Sequence, residues 1–203
     1  PNPFLGVRAI RLLKRHPRLF DEQIRAVLRV GQDYPVQLMF PMVATLEDWT
    51  LCVNAVAQVH SNTNPAWRQI PLGCMIEVPS AVWLADDLAK QVAFFSLGTN
   101  DLIQYIFAAD RGHPDLADYY QPLHPVVLRA IHHVVEAGRR HQIQVSVCGE
   151  MAGDPRNVST LVGLGVTVLS VAPPKIPSIK ALVTTINEKN CRDVIATIIG
   201  NSE

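Results

Sequence analysis

The sequence predicts an α/β fold built on a parallel sheet with crossover helices. Three observations lead there. Short apolar segments of about five residues alternate with helical stretches, no hairpin turns intervene, and the apolar segments are continuous rather than alternating. Continuous runs are what a sheet covered on both faces requires.

The elements follow in order. Residues 1–15 read as a loop running into a short helix. Pro17 suits the first turn of a second helix, where Phe20, Ile24, Val27 and Leu28 form one apolar stripe and Gly31 is the expected stop. Residues 36–40 form a strand between Pro35 and Pro41. Thr45 with Asp48 resembles a capping box that opens a helix burying Trp49, Val53 and Val56. Residues 61–71 are polar, carry prolines and read as a loop; residues 72–78 form a buried strand. Pro79-Ser80 opens a helix with Val82, Leu84, Ala85 and Leu88 inside. Residues 93–97 are a strand, 98–101 a turn and 102–108 a helix. Residues 126–140 form a long amphipathic helix with Leu128, Ile131, Val134 and Val135 inward. Residues 143–148 and 166–171 are strands flanking a helix at 155–164, and residues 175–187 and 191–199 are helical. Trp49, Trp67 and Trp83 are expected to be packing anchors. A complete eight-stranded barrel takes roughly 250 residues. This chain has 203 and about five strands, so the pattern fits an open sheet or part of a barrel.

Composition excludes several classes. Lys plus Arg and Asp plus Glu both number 18, so a balanced charge gives no global case for nucleic acid or an anionic membrane. No apolar run approaches the roughly 20 residues of a membrane helix. No signal peptide is visible. The 4 cysteines form no C-x-x-C pair, which leaves zinc ribbons and redox motifs unsupported and suits a reducing, cytoplasmic setting. The chain opens at Pro1 without methionine and is expected to be a fragment, one domain over residues 1–203.

The chemistry-bearing residues follow the strands. Glu77 ends the strand at 72–78, Thr99-Asn100-Asp101 follow the strand at 93–97, and Cys148-Gly149-Glu150 follow the strand at 143–147. In parallel α/β architectures those ends face one shared site. Two neighbouring carboxylates repel unless a cation joins them, and Mg²⁺ takes one or two carboxylates with substrate and water oxygens. The alternative is that each carboxylate caps a helix, Asp101 at Leu102. Arg111 and Arg8 offer planar forks for carboxylate or phosphate, or are surface arginines, Arg111 then paired with Asp110 or Asp115. Cys148 reads as a proton-exchanging thiol beside flexible glycines or as a small buried hydrophobe. Cys52, Cys74 and Cys191 fit the buried reading better. His132 and His133 are expected solvated or half-buried; so is His124, in a rigid Pro-flanked turn, with a place beside the site as its alternative.

Six segments together resemble Enzyme I of the phosphoenolpyruvate-dependent sugar phosphotransferase system. They are Asn2-Pro3-Phe4-Leu5-Gly6-Val7-Arg8, Met39-Phe40-Pro41-Met42, Met75-Ile76-Glu77-Val78-Pro79, Ser96-Leu97-Gly98-Thr99-Asn100-Asp101-Leu102 with Gln104-Tyr105, Asp110-Arg111-Gly112, and Cys148-Gly149-Glu150-Met151-Ala152-Gly153-Asp154. The superfamily also holds pyruvate phosphate dikinase and phosphoenolpyruvate synthase. The resemblance implies a (β/α)8 TIM-barrel type of domain, here incomplete, with about the last five strands. It implies Mg²⁺ as cofactor on Glu77 and Asp101, substrate phosphate and carboxylate on Arg8 and Arg111, and a phosphoenolpyruvate contact at Asn100. Cys148 is then the acid that protonates the enolate to give pyruvate. It further implies an acceptor histidine on a separate N-terminal domain, an HPr-type phosphocarrier as partner, and a homodimeric parent. The histidine domain and the first barrel strands are not in this sequence, so autonomous phosphotransfer is not expected. A non-catalytic dimerisation or regulatory module and a dikinase-like acceptor are the competing readings.

Overall fold

The computed structural model describes residues 4–200, so Asn2 and Pro3 of the first motif lie outside the described residues. Its strands are Leu38–Phe40 (β1), Leu72–Ile76 (β2), Phe94–Gly98 (β3), Gln144–Cys148 (β4) and Val168–Leu169 (β5). They form one sheet in sequence order, and every neighbouring pair is parallel. Right-handed crossovers that always step the same way put their helices on one face of the sheet. That is the winding of a (β/α)8 barrel, whereas a doubly wound sheet reverses its order. The α/β barrel expectation therefore holds, as an arc of five strands.

The helices are Ile10–Leu13 (α1), Pro17–Asp33 (α2), Leu46–Thr63 (α3), Pro79–Trp83 (α4), Ala85–Ala89 (α5), Thr99–Ile106 (α6), Pro125–Arg140 (α7), Pro155–Gly163 (α8), Ile176–Val183 (α9) and Glu188–Gly200 (α10). Cys74, Ile76, Phe95, Leu97 and Val147 share a core with Trp49, Val56, Leu88, Leu128 and Ile131 from α3, α5 and α7. The opposite face carries a different row, in which Met75, Ser96 and Ser146 lie in register. One pleat further on, Gly98 pairs with Cys148. That face leads to the site.

Several boundaries differ from the sequence reading. Gly31 does not stop α2, which runs on to Asp33. It is buried because Ile70 and Val36 pack against it; a Cβ there would sit 2.7 Å from Ile70 Cγ2. The carbonyls of Gly31 and Tyr34 at that end accept from Arg68 Nη2. Helix α3 extends to Thr63, so the following loop begins at Asn64. The expected helix from Pro79 is split at Leu84, whose ψ of 7° leaves the helical range. The expected turn at residues 98–101 is instead the first turn of α6, which starts at Thr99 directly after β3. Strand β5 shrinks to two residues. Trp49 is buried and Trp67 packs on the core, but Trp83 is 77% exposed and leans on His133 at 5.6 Å, so it is no core anchor.

Candidate functional site

Glu77 leaves the end of β2 and is 4% exposed. Its Oε1 accepts from the Met42 N–H at 2.7 Å. Met42 has φ 58°, a left-handed conformation that is costly for a side chain with a Cβ, and the buried turn holds it there. Gly98 opposes Glu77 from β3, and a Cβ at Gly98 would lie 2.8 Å from both Cβ and Oε2 of Glu77. The space for the carboxylate exists because residue 98 has no side chain.

Asp101 stands on the first turn of α6, 7% exposed, rather than capping a helix at Leu102. Both arginines converge on it. Arg8 Nη2 lies 3.4 Å from Oδ2, and Arg111 Nη2 lies 3.7 Å from Oδ1. Arg111 therefore turns to Asp101, not to Asp110 or Asp115. Its backbone N–H donates to the buried Gln104 Oε1 at 3.0 Å, which fixes the loop that carries it. Phe4 lies under both guanidinium groups, with Cζ of Arg8 and of Arg111 at 5.4 and 5.3 Å from the ring centroid.

Burial pushes the Glu77 carboxyl up, to about 7, and the charge of Asp101 adds to it; the Met42 N–H and Arg8 work the other way. Asp101 Oδ1 is buried without a hydrogen-bond partner. A pair of buried carboxylates, one raised and one with an orphaned oxygen, fits a divalent cation that binds oxygen ligands. No group of three or more His, Cys, Asp or Glu converges among the described residues. A cation here would draw its remaining oxygens from substrate and water, as Mg²⁺ commonly does.

Asn100 and Cys148 complete the cluster. Asn100 Oδ1 accepts from Tyr120 OH and from the Glu150 N–H, both at 3.0 Å. With its oxygen committed, its amide nitrogen is the free end. Thr99 Oγ1 donates to the Cys148 carbonyl at 2.8 Å and ties α6 to the end of β4. Gly149 has φ 91° and lets the chain pass Asn100; a Cβ there would stand 2.8 Å from Asn100 Oδ1. Cys148 is half-buried; its Sγ lies 3.6 Å from Ser96 Oγ and donates to the Leu97 carbonyl at 3.3 Å. Burial raises this thiol above its ordinary value, and the Ser96 hydrogen bond opposes that. Cys52 and Cys74 are buried, as expected, but Cys191 is half-buried.

All six residues singled out from the sequence thus gather at the C-terminal ends of β2, β3 and β4. His124 does not join them; it caps α7 and meets Phe107 edge-on at 5.1 Å. His132 and His133 are half-buried on α7, as expected. Tyr120, Ser96 and Phe4 were not assigned roles by sequence reasoning, although Ser96 and Phe4 stand inside the quoted motifs. A cleft of about 1090 Å³ lies elsewhere, between α7 and α10, and none of the six lines it.

Comparison with known proteins gives a consistent result. A family model described as "PEP-utilising enzyme, PEP-binding domain" matches residues 1–188. The chain is 45% identical over 181 residues to a multiphosphoryl transfer protein of Xanthomonas campestris pv. campestris, covering 89% of this chain and 21% of that protein. It is 42% identical over 194 residues to a phosphoenolpyruvate-protein phosphotransferase of Mycoplasma genitalium, covering 96% of this chain and 34% of that protein. The chain thus spans about a third or less of the curated relatives it matches. Among solved structures, a citrate lyase of Burkholderia xenovorans LB400 superposes with a TM-score of 0.62 at 22% identity, over 80% of this chain and 53% of that one, a likeness of fold.

Proposed function

We propose a function from one premise: the chain belongs to the PEP-binding domain family of the PEP-utilising enzymes. Its role is to bind phosphoenolpyruvate with Mg²⁺ as the substrate domain of a phosphoenolpyruvate-protein phosphotransferase. The parent enzyme passes the phosphoryl group to a histidine on another domain and then to an HPr-type carrier, and releases pyruvate. A cytoplasmic setting and a dimeric parent belong to the same reading. The observation that carries it is the convergence of Arg8 and Arg111 on a buried carboxylate that neighbours Glu77, with a protonated thiol at the next strand end.

The residues divide the work by charge. Arg8 and Arg111 grip the phosphate and the carboxylate of the substrate, the planar fork matching both anions. Asn100 offers its amide nitrogen, held in that orientation by Tyr120 and Glu150. Glu77 and Asp101 would hold the Mg²⁺, which would supply positive charge against that developing on the phosphoryl and enolate oxygens. As the phosphorus–oxygen bond to the enolate breaks, Cys148 gives its proton to the methylene carbon. A raised thiol keeps that proton at neutral pH, which is what a general acid needs.

Calorimetry of phosphoenolpyruvate binding, with Mg²⁺ and after chelation, tests the reading on the chain and on Asp101→Ala. The expected result is heat that needs both the metal and Asp101. No heat at millimolar ligand from folded protein would sink the proposal and favour an interaction module. A dikinase-like parent would give the same binding and differs only in its acceptor.

A further inference from the structure

We propose that Phe4 is a positioning residue for the substrate: its ring sets the relative placement of Arg8 and Arg111, so that two guanidinium groups can grip the two anionic ends of one small molecule. This rests on the function proposed above. Residues 8 and 111 come from distant parts of the chain, yet both guanidinium carbons lie over the same ring, at 5.4 and 5.3 Å from its centroid. Both distances fall within the roughly 6 Å over which a ring face attracts a cation.

The carboxylate between them does not do this job. Charge-assisted hydrogen bonds run at about 2.7–2.9 Å. Asp101 meets the arginines at 3.4 and 3.7 Å, and its Oδ1 has no hydrogen-bond partner. Contacts of that length, one of them a long hydrogen bond from Arg8, offset like-charge repulsion more than they orient the two forks. A ring face holds a guanidinium through its quadrupole and occupies none of its N–H donors, so these stay available to a ligand.

The platform is itself anchored. The Phe4 carbonyl accepts from Tyr105 OH at 2.9 Å. Arg11 Nη1 donates to the next two carbonyls, Leu5 at 2.9 Å and Gly6 at 3.1 Å. Tyr105 stands on α6, the helix that also carries Asp101 and the Gln104 that fixes the Arg111 loop. Ring, arginines and carboxylate therefore share one rigid frame.

The test compares the chain with Phe4→Leu and Phe4→Tyr, with Phe4→Met standing in if the leucine variant fails to fold. Nitrogen-15 spectra follow the Arg8 and Arg111 Nε–H resonances, assigned with Arg8→Lys and Arg111→Lys, because a ring face displaces the resonances of protons above it. Calorimetry with Mg²⁺ follows phosphoenolpyruvate. Both resonances should lose their displacement in Phe4→Leu and keep it in Phe4→Tyr. Affinity should fall about tenfold in Phe4→Leu, the scale of one or two weakened cation–π contacts, and recover in Phe4→Tyr. Unmoved resonances, or wild-type affinity in a folded Phe4→Leu, would overturn the role of Phe4 alone. Wild-type chain that binds no phosphoenolpyruvate would overturn the underlying function and this role with it.

Discussion

Cys148 shows how one side chain takes its acidity from its neighbours. Its sulfur sits one pleat above Ser96 and beside the Leu97 carbonyl, half out of water. Burial disfavours the thiolate, so the thiol titrates above its ordinary value and stays neutral at pH 7. Alkylation of Cys148, followed by peptide mass spectrometry, should therefore rise with pH through a midpoint above that of free cysteine. Ser96→Ala removes the opposing hydrogen bond and should move the midpoint further up. A midpoint at or below that of free cysteine would argue against Cys148 as a proton donor at neutral pH. Glu77, Asp101 and Cys148 were legible in the sequence because each ends or closely follows an apolar run, and strand ends converge in any parallel α/β sheet. Phe4 and Tyr120 were not. Their contacts with Arg8, Arg111 and Asn100 depend on where a ring or a hydroxyl points across the site, which no spacing encodes.

At the scale of elements, caps and close contacts decide the boundaries. Thr45 Oγ1 accepts from the Asp48 N–H at 3.2 Å, and Asp48 Oδ2 accepts from the Ala44 N–H at 3.2 Å. The capping box expected from the sequence is present, its return bond displaced by one residue. Thr45→Ala should lower stability by about 1 kcal/mol, the usual worth of an N-cap, read from urea unfolding. A loss below a few tenths of a kcal/mol would mean that packing of Trp49 alone sets the start of α3. Gly31 teaches the converse. Its type suggested a stop, but tertiary contact with Ile70 and Val36 uses the missing side chain for packing and the helix continues. The early start of α6 matters more for the site. It places Asn100 and Asp101 on a rigid helical turn instead of a mobile loop.

For the whole molecule, the sheet is graded from centre to edge. Among the described residues β3 pairs with both β2 and β4, whereas β1 and β5 each have one neighbour and are three and two residues long. Amide exchange should be slowest in β3 and fastest in β1 and β5. Equal protection across the sheet would mean that the edge strands are covered in solution, for instance by self-association through their unpaired backbone groups.

The sequence by itself determined the α/β class, the parallel strands and which polar residues follow the strand ends, because apolar runs and strand-end polar groups are local patterns. It left open an open sheet against a barrel arc, since strand order is a pairing choice made at long range. Only the tertiary structure decided that order, the convergence of Arg8 and Arg111 over Phe4, and the burial that raises Glu77 and Cys148. Each depends on which distant groups share a low-dielectric space, and that is settled only when the chain has packed.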